Sequence, residues 1–231
     1  MSDRTKDSVY SERRKRLKLY LIRHGETDWN KIHRLQGRSN VSLNDHGREL
    51  ARLTKEALKD IPFDAAYTSP LDRAAETGEI ILEGRNLVLH KDWRLAEADF
   101  GIYEGIREQE LRQKNDPFMK FFDDPEEFQK TGGAENHKDV MIRAKDFLES
   151  TVLPGESEFE HMVIFSHGAW IHAFLTVVYH RGIKDFWHAP KQANCGVSII
   201  EVQNGSCRVL EESRIFSVSY KHLTLPTTSR V

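Results

Sequence analysis

Arg23-His24-Gly25 follows a short apolar run, Leu19 to Ile22, and sets a permanent cation beside an imidazole. A guanidinium cannot lose its proton and offers a planar fork of donors, so its expected partner is an anion, most simply a phosphate. The adjacent imidazole is a candidate nucleophile toward phosphorus, and Gly25 is expected to let the backbone turn sharply after it. His167 repeats the setting: it follows the apolar stretch Met162 to Phe165 and precedes Gly168. Taken singly, each histidine reads more readily as a structural group. Two at matching strand ends point the other way, because neighbouring parallel strands would bring both imidazoles to the sheet edge where ligands bind. Arg73 falls on the first turn of the helix expected after Thr68-Ser69-Pro70, and a helix N-terminus already favours anions. Glu97, ahead of Phe100-Gly101, is a carboxyl group that could protonate a leaving alkoxide, although alone it reads as a surface glutamate.

Those residues need a scaffold of alternating strands and helices. Leu19 to Ile22, Phe63 to Thr68, Leu87 to Leu89 and Met162 to Phe165 read as short buried strands. Asn44 can cap a helix from Asp45 to about Lys59, and Ser69-Pro70 is a capping residue with proline at the first helical position. Helices are expected over Asn136 to Ser150 and Ala169 to Tyr179, the second apolar nearly all round and therefore buried. Gly105 to Gln129 has a helical pattern interrupted by Pro117 and Pro125 and carries the aromatics Phe118, Phe121, Phe122 and Phe128. Asn204-Gly205 between two apolar runs signals a hairpin. The expected fold is α/β: a three-layer α/β/α sandwich, its central sheet mainly parallel with an antiparallel edge, and a helical lid insertion.

The 231 residues suit one domain with a sizeable core, expected over 18–215 with the lid at about 103–135. Residues 1–17 read as a basic, disordered lead-in and 216–231 as a loose tail. A net charge of −2 argues against non-specific binding to nucleic acid or membrane. No apolar run approaches a membrane span and the N-terminus lacks a secretory apolar region, so the expected location is cytoplasmic. Cys195 and Cys207 are too few for a disulfide framework or a metal cluster, and read as small buried or half-buried side chains. No metal and no cofactor are expected. A homodimer is allowed for, without a readable interface.

Four separated segments, in order, resemble the histidine phosphatase superfamily that also contains cofactor-dependent phosphoglycerate mutases. Leu21-Ile-Arg-His-Gly-Glu-Thr-Asp-Trp-Asn30 is similar to its phosphohistidine signature, and Tyr67 to Thr77 to its second arginine motif. Leu95 to Gly105 resembles its general-acid segment and Phe165 to Gly168 its second histidine motif. The resemblance implies that His24 attacks phosphorus, that Arg23, Arg73, His167 and Asn30 hold the phosphoryl oxygens with Gly168 beside them, and that Glu97 protonates the leaving oxygen. Three cations suit a charge spread over equatorial oxygens without a metal. A neutral His24 would keep its proton on the far nitrogen, held by a backbone carbonyl. Glu97 to Gly105, Gly132 to Glu135 and Asn194 to Val197 look like the phosphatase branch, which includes α-ribazole and broad-specificity phosphatases. Ala134 and Asn136 around Glu135, and His172 where relatives often carry arginine, depart from the pattern. The expectation is hydrolysis of a small soluble phosphate ester, with a phosphoglycerate mutase or a non-catalytic phospho-ligand binder as the alternatives.

Overall fold

The computed structural model describes residues 16–216. Six strands form one sheet: β1 (Leu17–Arg23), β2 (Ala65–Thr68), β3 (Leu89–Lys91), β4 (His161–Ser166), β5 (Val197–Gln203) and β6 (Ser206–Arg214). Their order is β3-β2-β4-β1-β5-β6. The first four run parallel, and β5 pairs antiparallel with both β1 and β6. Asn204 and Gly205 take left-handed φ of 53° and 70°, which a two-residue type I′ hairpin turn requires.

Strand alternation assigns the two faces. Leu17, Leu19 and Leu21 of β1 belong to one buried cluster, Tyr20 and Ile22 to the other. The first face is covered by α6 (His137–Phe147) and α8 (Gly168–Val178), the second by α2 (Asp45–Ala57) and α3 (Asp72–Leu82). Both faces of the central strands are thus dry, and each buried leucine contributes about 1.5–3 kcal/mol. The apolar α8 is buried along most of its length, as its composition implies. Asn44 caps α2 by accepting from the Gly47 amide at 2.8 Å. The remaining helices are short: α1 (Asp28–Lys31), α4 (Glu108–Gln113), α5 (Lys120–Asp123) and α7 (Leu153–Gly155). No helix among the described residues is long and apolar enough to cross a membrane.

Several local expectations are corrected. β1 opens at Leu17, which is fully buried rather than part of a lead-in, and Arg16 before it pairs with Glu201; residues 1–15, and nearly all of the expected tail, lie outside the described residues. β3 lies two residues later than Leu87–Leu89, because pairing with Ala66–Thr68 selects Leu89–Lys91 and leaves Val88 exposed. The α3 helix starts at Asp72 with Leu71 at its N-cap and no side-chain cap; Ser69 sits earlier, where its Oγ accepts from the Leu71 amide at 3.3 Å and meets His167 Nε2 at 2.7 Å. Gly105 to Gln129 is not one interrupted helix. Asn115 at φ 49° ends α4, a 3-10 turn spans Pro117–Met119, and α5 is a single turn. The pattern there reflects tertiary packing: Phe118 and Phe121 are fully buried, Tyr103 stacks on Phe118 at 4.1 Å, and His137 stacks on Phe121 at 4.2 Å. α6 ends at Phe147 and continues as a π-helical turn, Leu148–Val152. Cys195 and Cys207 are unpaired, the first buried and the second half-buried.

Candidate active site

Parallel register delivers the two histidines together. Arg23 of β1 lies opposite Ser166 of β4, so the next residues, His24 and His167, leave adjacent strands side by side. Their rings are 5.1 Å apart between centroids, tilted by 55°. The position after His24 needs glycine for a reason the sequence did not suggest. Gly25 has no left-handed φ, but a Cβ there would sit 2.6 Å from the Gly47 carbonyl oxygen. The N-terminus of α2 packs directly on this loop, and the close backbone approach excludes any side chain.

Hydrogen bonds set the tautomer of His24. The Arg73 Nε–H, which can only donate, points at His24 Nε2 at 3.3 Å. Nε2 is therefore the lone-pair nitrogen, and Nδ1–H donates to the Gly25 carbonyl at 2.7 Å. That is the arrangement expected for a nucleophilic imidazole. Burial, then the charges of Arg73 and Arg23, hold the His24 pKa well below the ordinary histidine value, so the ring is neutral at pH 7. His167 is depressed well below its ordinary range, by burial first and then Arg73. Its Nε2 meets Ser69 Oγ at 2.7 Å, while its Nδ1 is buried with no partner.

The arginines are placed by backbone carbonyls. Arg73, in the first turn of α3, donates from Nη1 to Ser39 O at 2.9 Å and from Nη2 to Gly37 O at 2.7 Å. Gly37 holds φ at 53°, and Glu104 ties this loop down by accepting from the Arg38 and Ser39 amides at 2.7 and 2.8 Å. Thr77 links α3 to the β1 loop, accepting from the Gly25 amide and donating to Arg73 O. Arg23 donates from Nη1 to Gln192 O at 2.6 Å, and its buried Nε has no partner. Burial lowers both guanidinium pKa values, that of Arg73 to about 10, so both remain cations at neutral pH.

Glu97 comes from the opposite wall. Its carboxylate accepts from the Ala98 amide at 3.0 Å and from the first-turn amides of α8, Ala169 at 3.2 Å and Trp170 at 3.1 Å. Its backbone is fixed by Arg143, which donates to Ala96 O and Glu97 O and is paired with Glu135 at 3.0 Å. Gly168 lies between Glu97 and Arg23: a Cβ there would be 3.8 Å from Glu97 Oε2 and 3.7 Å from Arg23 Nε. Asn30 turns its amide oxygen to Thr27 and Asn194, which leaves its amide nitrogen as the donor.

All seven residues singled out from the sequence gather at the carboxyl ends of β1, β2 and β4. A cavity of about 550 Å³ opens there, with Arg23, His24, Arg73, Glu97 and Gly168 on its floor and Phe100, Phe122, His172 and Trp187 among its walls. The lid-region aromatics divide: Phe118, Phe121 and Phe128 are core, and Phe122 reaches the cavity. Ser69, Thr77, Gln192, Arg143 and the carbonyls of Gly37 and Ser39 went unrecognised in the sequence. They act through backbone atoms or as second partners, which residue type does not report. Among the described residues no group of three His, Cys, Asp or Glu side chains is arranged to hold a metal ion.

An α/β sheet whose carboxyl edge carries a buried and a half-buried arginine, two neutral histidines and one carboxylate defines a protein built around an oxyanion. The comparisons agree. A model of the histidine phosphatase superfamily (branch 1) matches residues 19–213, and the chain belongs to that superfamily. It is 30% identical over 172 residues to phosphoserine phosphatase 1 of Hydrogenobacter thermophilus, covering 74% of this chain and 80% of that one. It is also 30% identical to a probable 2-carboxy-D-arabinitol-1-phosphatase of Arabidopsis thaliana, over 80% of this chain but only 38% of that longer protein. Phosphoglycerate mutases match too: two over 46% and 41% of their own lengths, and that of Parvibaculum lavamentivorans at 32% identity over 65% of this chain and 74% of that one. Among solved structures, Bacillus stearothermophilus YhfR superposes with a TM-score of 0.80 at 32% identity, covering 86% of this chain and 98% of that one.

Proposed function

We propose that the protein is a phosphomonoesterase working through a phosphohistidine on His24. The observation that carries this reading is a charge imbalance: the fully buried Arg73 and the half-buried Arg23 share one carboxylate, and Arg23 Nε and His167 Nδ1 are buried without partners. Buried charges and polar groups without partners are costly, and a phosphoryl group supplies the missing acceptors. Phosphatase names among the relatives support the same class.

His24 Nε2 attacks phosphorus as the ester P–O bond breaks, and Glu97, having taken up a proton as the anionic phosphate binds beside it, gives that proton to the departing oxygen. Water then attacks the phosphohistidine, Glu97 takes the proton from that water, and His24 leaves phosphorus with its lone pair restored. Arg23, Arg73, His167 and Asn30 stabilise the equatorial oxygens throughout. The bond from Arg73 Nε to Nε2 gives way to one with a phosphoryl oxygen when substrate enters.

The test is hydrolysis of p-nitrophenyl phosphate, phosphosugars, phosphoserine, 3-phosphoglycerate and α-ribazole phosphate in the presence of a chelator. Turnover that persists in chelator and vanishes in His24→Ala supports the proposal. Phosphate binding without turnover of any ester would favour a binder, and activity dependent on a bisphosphorylated primer would favour a mutase.

A further inference from the structure

The cavity is much larger than a phosphate, and its outer part contains cations that the chemistry above does not use. Arg34 and Lys191 line the same cavity as His24. Neither side chain has a hydrogen bond or an ion pair among the described residues, and Arg34 Nε is buried without a partner. Other half-buried arginines are engaged: Arg94 with Asp92, Arg143 with Glu135, Arg48 with Glu76, Arg85 with backbone carbonyls, and Arg181 over the Tyr179 ring.

The backbone around Arg34 adds a second anomaly. Arg34 and Arg107 face each other across an isolated antiparallel bridge. The flanking bonds are Leu35 N to Ile106 O and Glu108 N to His33 O, which makes Arg34–Arg107 a non-hydrogen-bonded pair. In that type of pair opposing side chains approach most closely, and like charges directly opposite are destabilising. Arg107 likewise has no ion pair among the described residues, and it lines a groove that shares His33 and Glu108 with the main cavity. The nearby acids do not relieve this pair. Glu108 is bonded to Arg112, and Glu26 accepts from Asn44. His172, on the same wall, is no substitute cation: burial lowers its pKa to about 4.

We propose that Arg34 and Arg107, with Lys191, form an outer anion subsite that reads a second negative group, a carboxylate or phosphate, on the leaving part of the substrate. The reading rests on the phosphoryl floor proposed above and names the substrate class: small phosphomonoesters that carry a second anion. The half-buried guanidinium of Arg34 supplies the oriented donors, Arg107 and Lys191 add field, and Phe122 and Trp187 offer an apolar wall to the atoms between the two charges.

The experiment uses two probes that differ only in that group. 3-Phosphoglycerate carries a carboxylate where glycerol 3-phosphate carries a hydroxymethyl. Dissociation constants are measured by calorimetry on full-length His24→Ala protein, which removes turnover, with and without Arg34→Met. A separate Lys191→Met variant guards against a folding defect at half-buried Arg34. The expected result is at least tenfold tighter binding of 3-phosphoglycerate, reduced to within about threefold by Arg34→Met and diminished by Lys191→Met, while glycerol 3-phosphate binding changes less than twofold. Equal binding of the two probes, or equal weakening of both by Arg34→Met, overturns the subsite. Wild-type hydrolysis is read independently. A preserved carboxylate preference without turnover of either ester would sink the phosphatase reading and leave the subsite standing.

Discussion

The floor of the cavity and its outer wall are built on different principles. On the floor, His24 donates to Gly25 O, Arg73 to Gly37 O and Ser39 O, and Arg23 to Gln192 O. Each chemical group is held by main-chain atoms at the end of a strand or the start of a helix. The outer wall, from Phe100 through Phe128, consists of single turns held by aromatic packing around Phe118 and Phe121. Backbone anchoring fixes the reacting groups in a rigid frame, and side-chain packing supports a segment that can vary in shape. Damage to the floor should therefore cost rate, and damage to the wall should cost stability or affinity.

The largest effect on that contrast is expected from Arg73→Ala, a fall in kcat/KM of about 10³-fold or more, since a charge clamp of this kind is worth 10³–10⁵. Arg73→Lys should recover little, because a single ammonium cannot serve Gly37 O, Ser39 O and the site together. Recovery to within tenfold by lysine would show that the backbone anchoring matters less than charge. Glu97→Gln should lower kcat/KM, which reports the steps up to departure of the leaving group, by about 10²–10³-fold for alkyl phosphates and much less for p-nitrophenyl phosphate, because nitrophenolate leaves without a proton. Equal losses on both would remove Glu97 from the role of acid. On the wall, Phe118→Ala should cost about 3–5 kcal/mol in urea unfolding. The kcat/KM per folded molecule should stay within about threefold. A rate loss as large as that of Arg73→Ala would erase the distinction between the two regions.

Stability against pH provides a smaller, graded test that involves both regions. His24 and His167 on the floor, and His137 and His172 beside the wall, all have lowered pKa values, the last two at about 4, with burial as the first cause. Below pH 6.5 the unfolded chain binds protons that the folded one does not, so stability is full above 6.5 and falls as the pH drops. The slope is up to about 1.4 kcal/mol per pH unit for each such histidine. Urea midpoints that rise between pH 7 and 5 would contradict this sign. Phosphate, by supplying an acceptor to His167, should flatten the slope.

The floor was legible in the sequence because each of its groups sits at a junction with a local signature. Arg23-His24-Gly25 and Ser166-His167-Gly168 follow β-type apolar runs, and Arg73 follows a strand-to-helix boundary. The alternating pattern also gave the layered sheet and its antiparallel hairpin. The wall was not legible. Its aromatics imitate helical spacing between Gly105 and Gln129, yet Asn115 and the two prolines divide that stretch, and contacts distant in sequence decide where each ring goes. Nor could a single sequence show that Gly25 answers to Gly47, or that Ser69 faces His167 as well as the Leu71 amide. Those relations exist only once β1, β2 and β4 are side by side.

The central claim is that His24 Nε2 carries the phosphoryl group. Rapid quenching of the enzyme with a ³²P-labelled phosphate ester, followed by alkaline peptide mapping, tests it most directly. The account predicts an acid-labile, base-stable label on the peptide containing His24, formed faster than turnover and missing in His24→Ala. Steady hydrolysis with no label on His24, or turnover that survives His24→Ala, would contradict it.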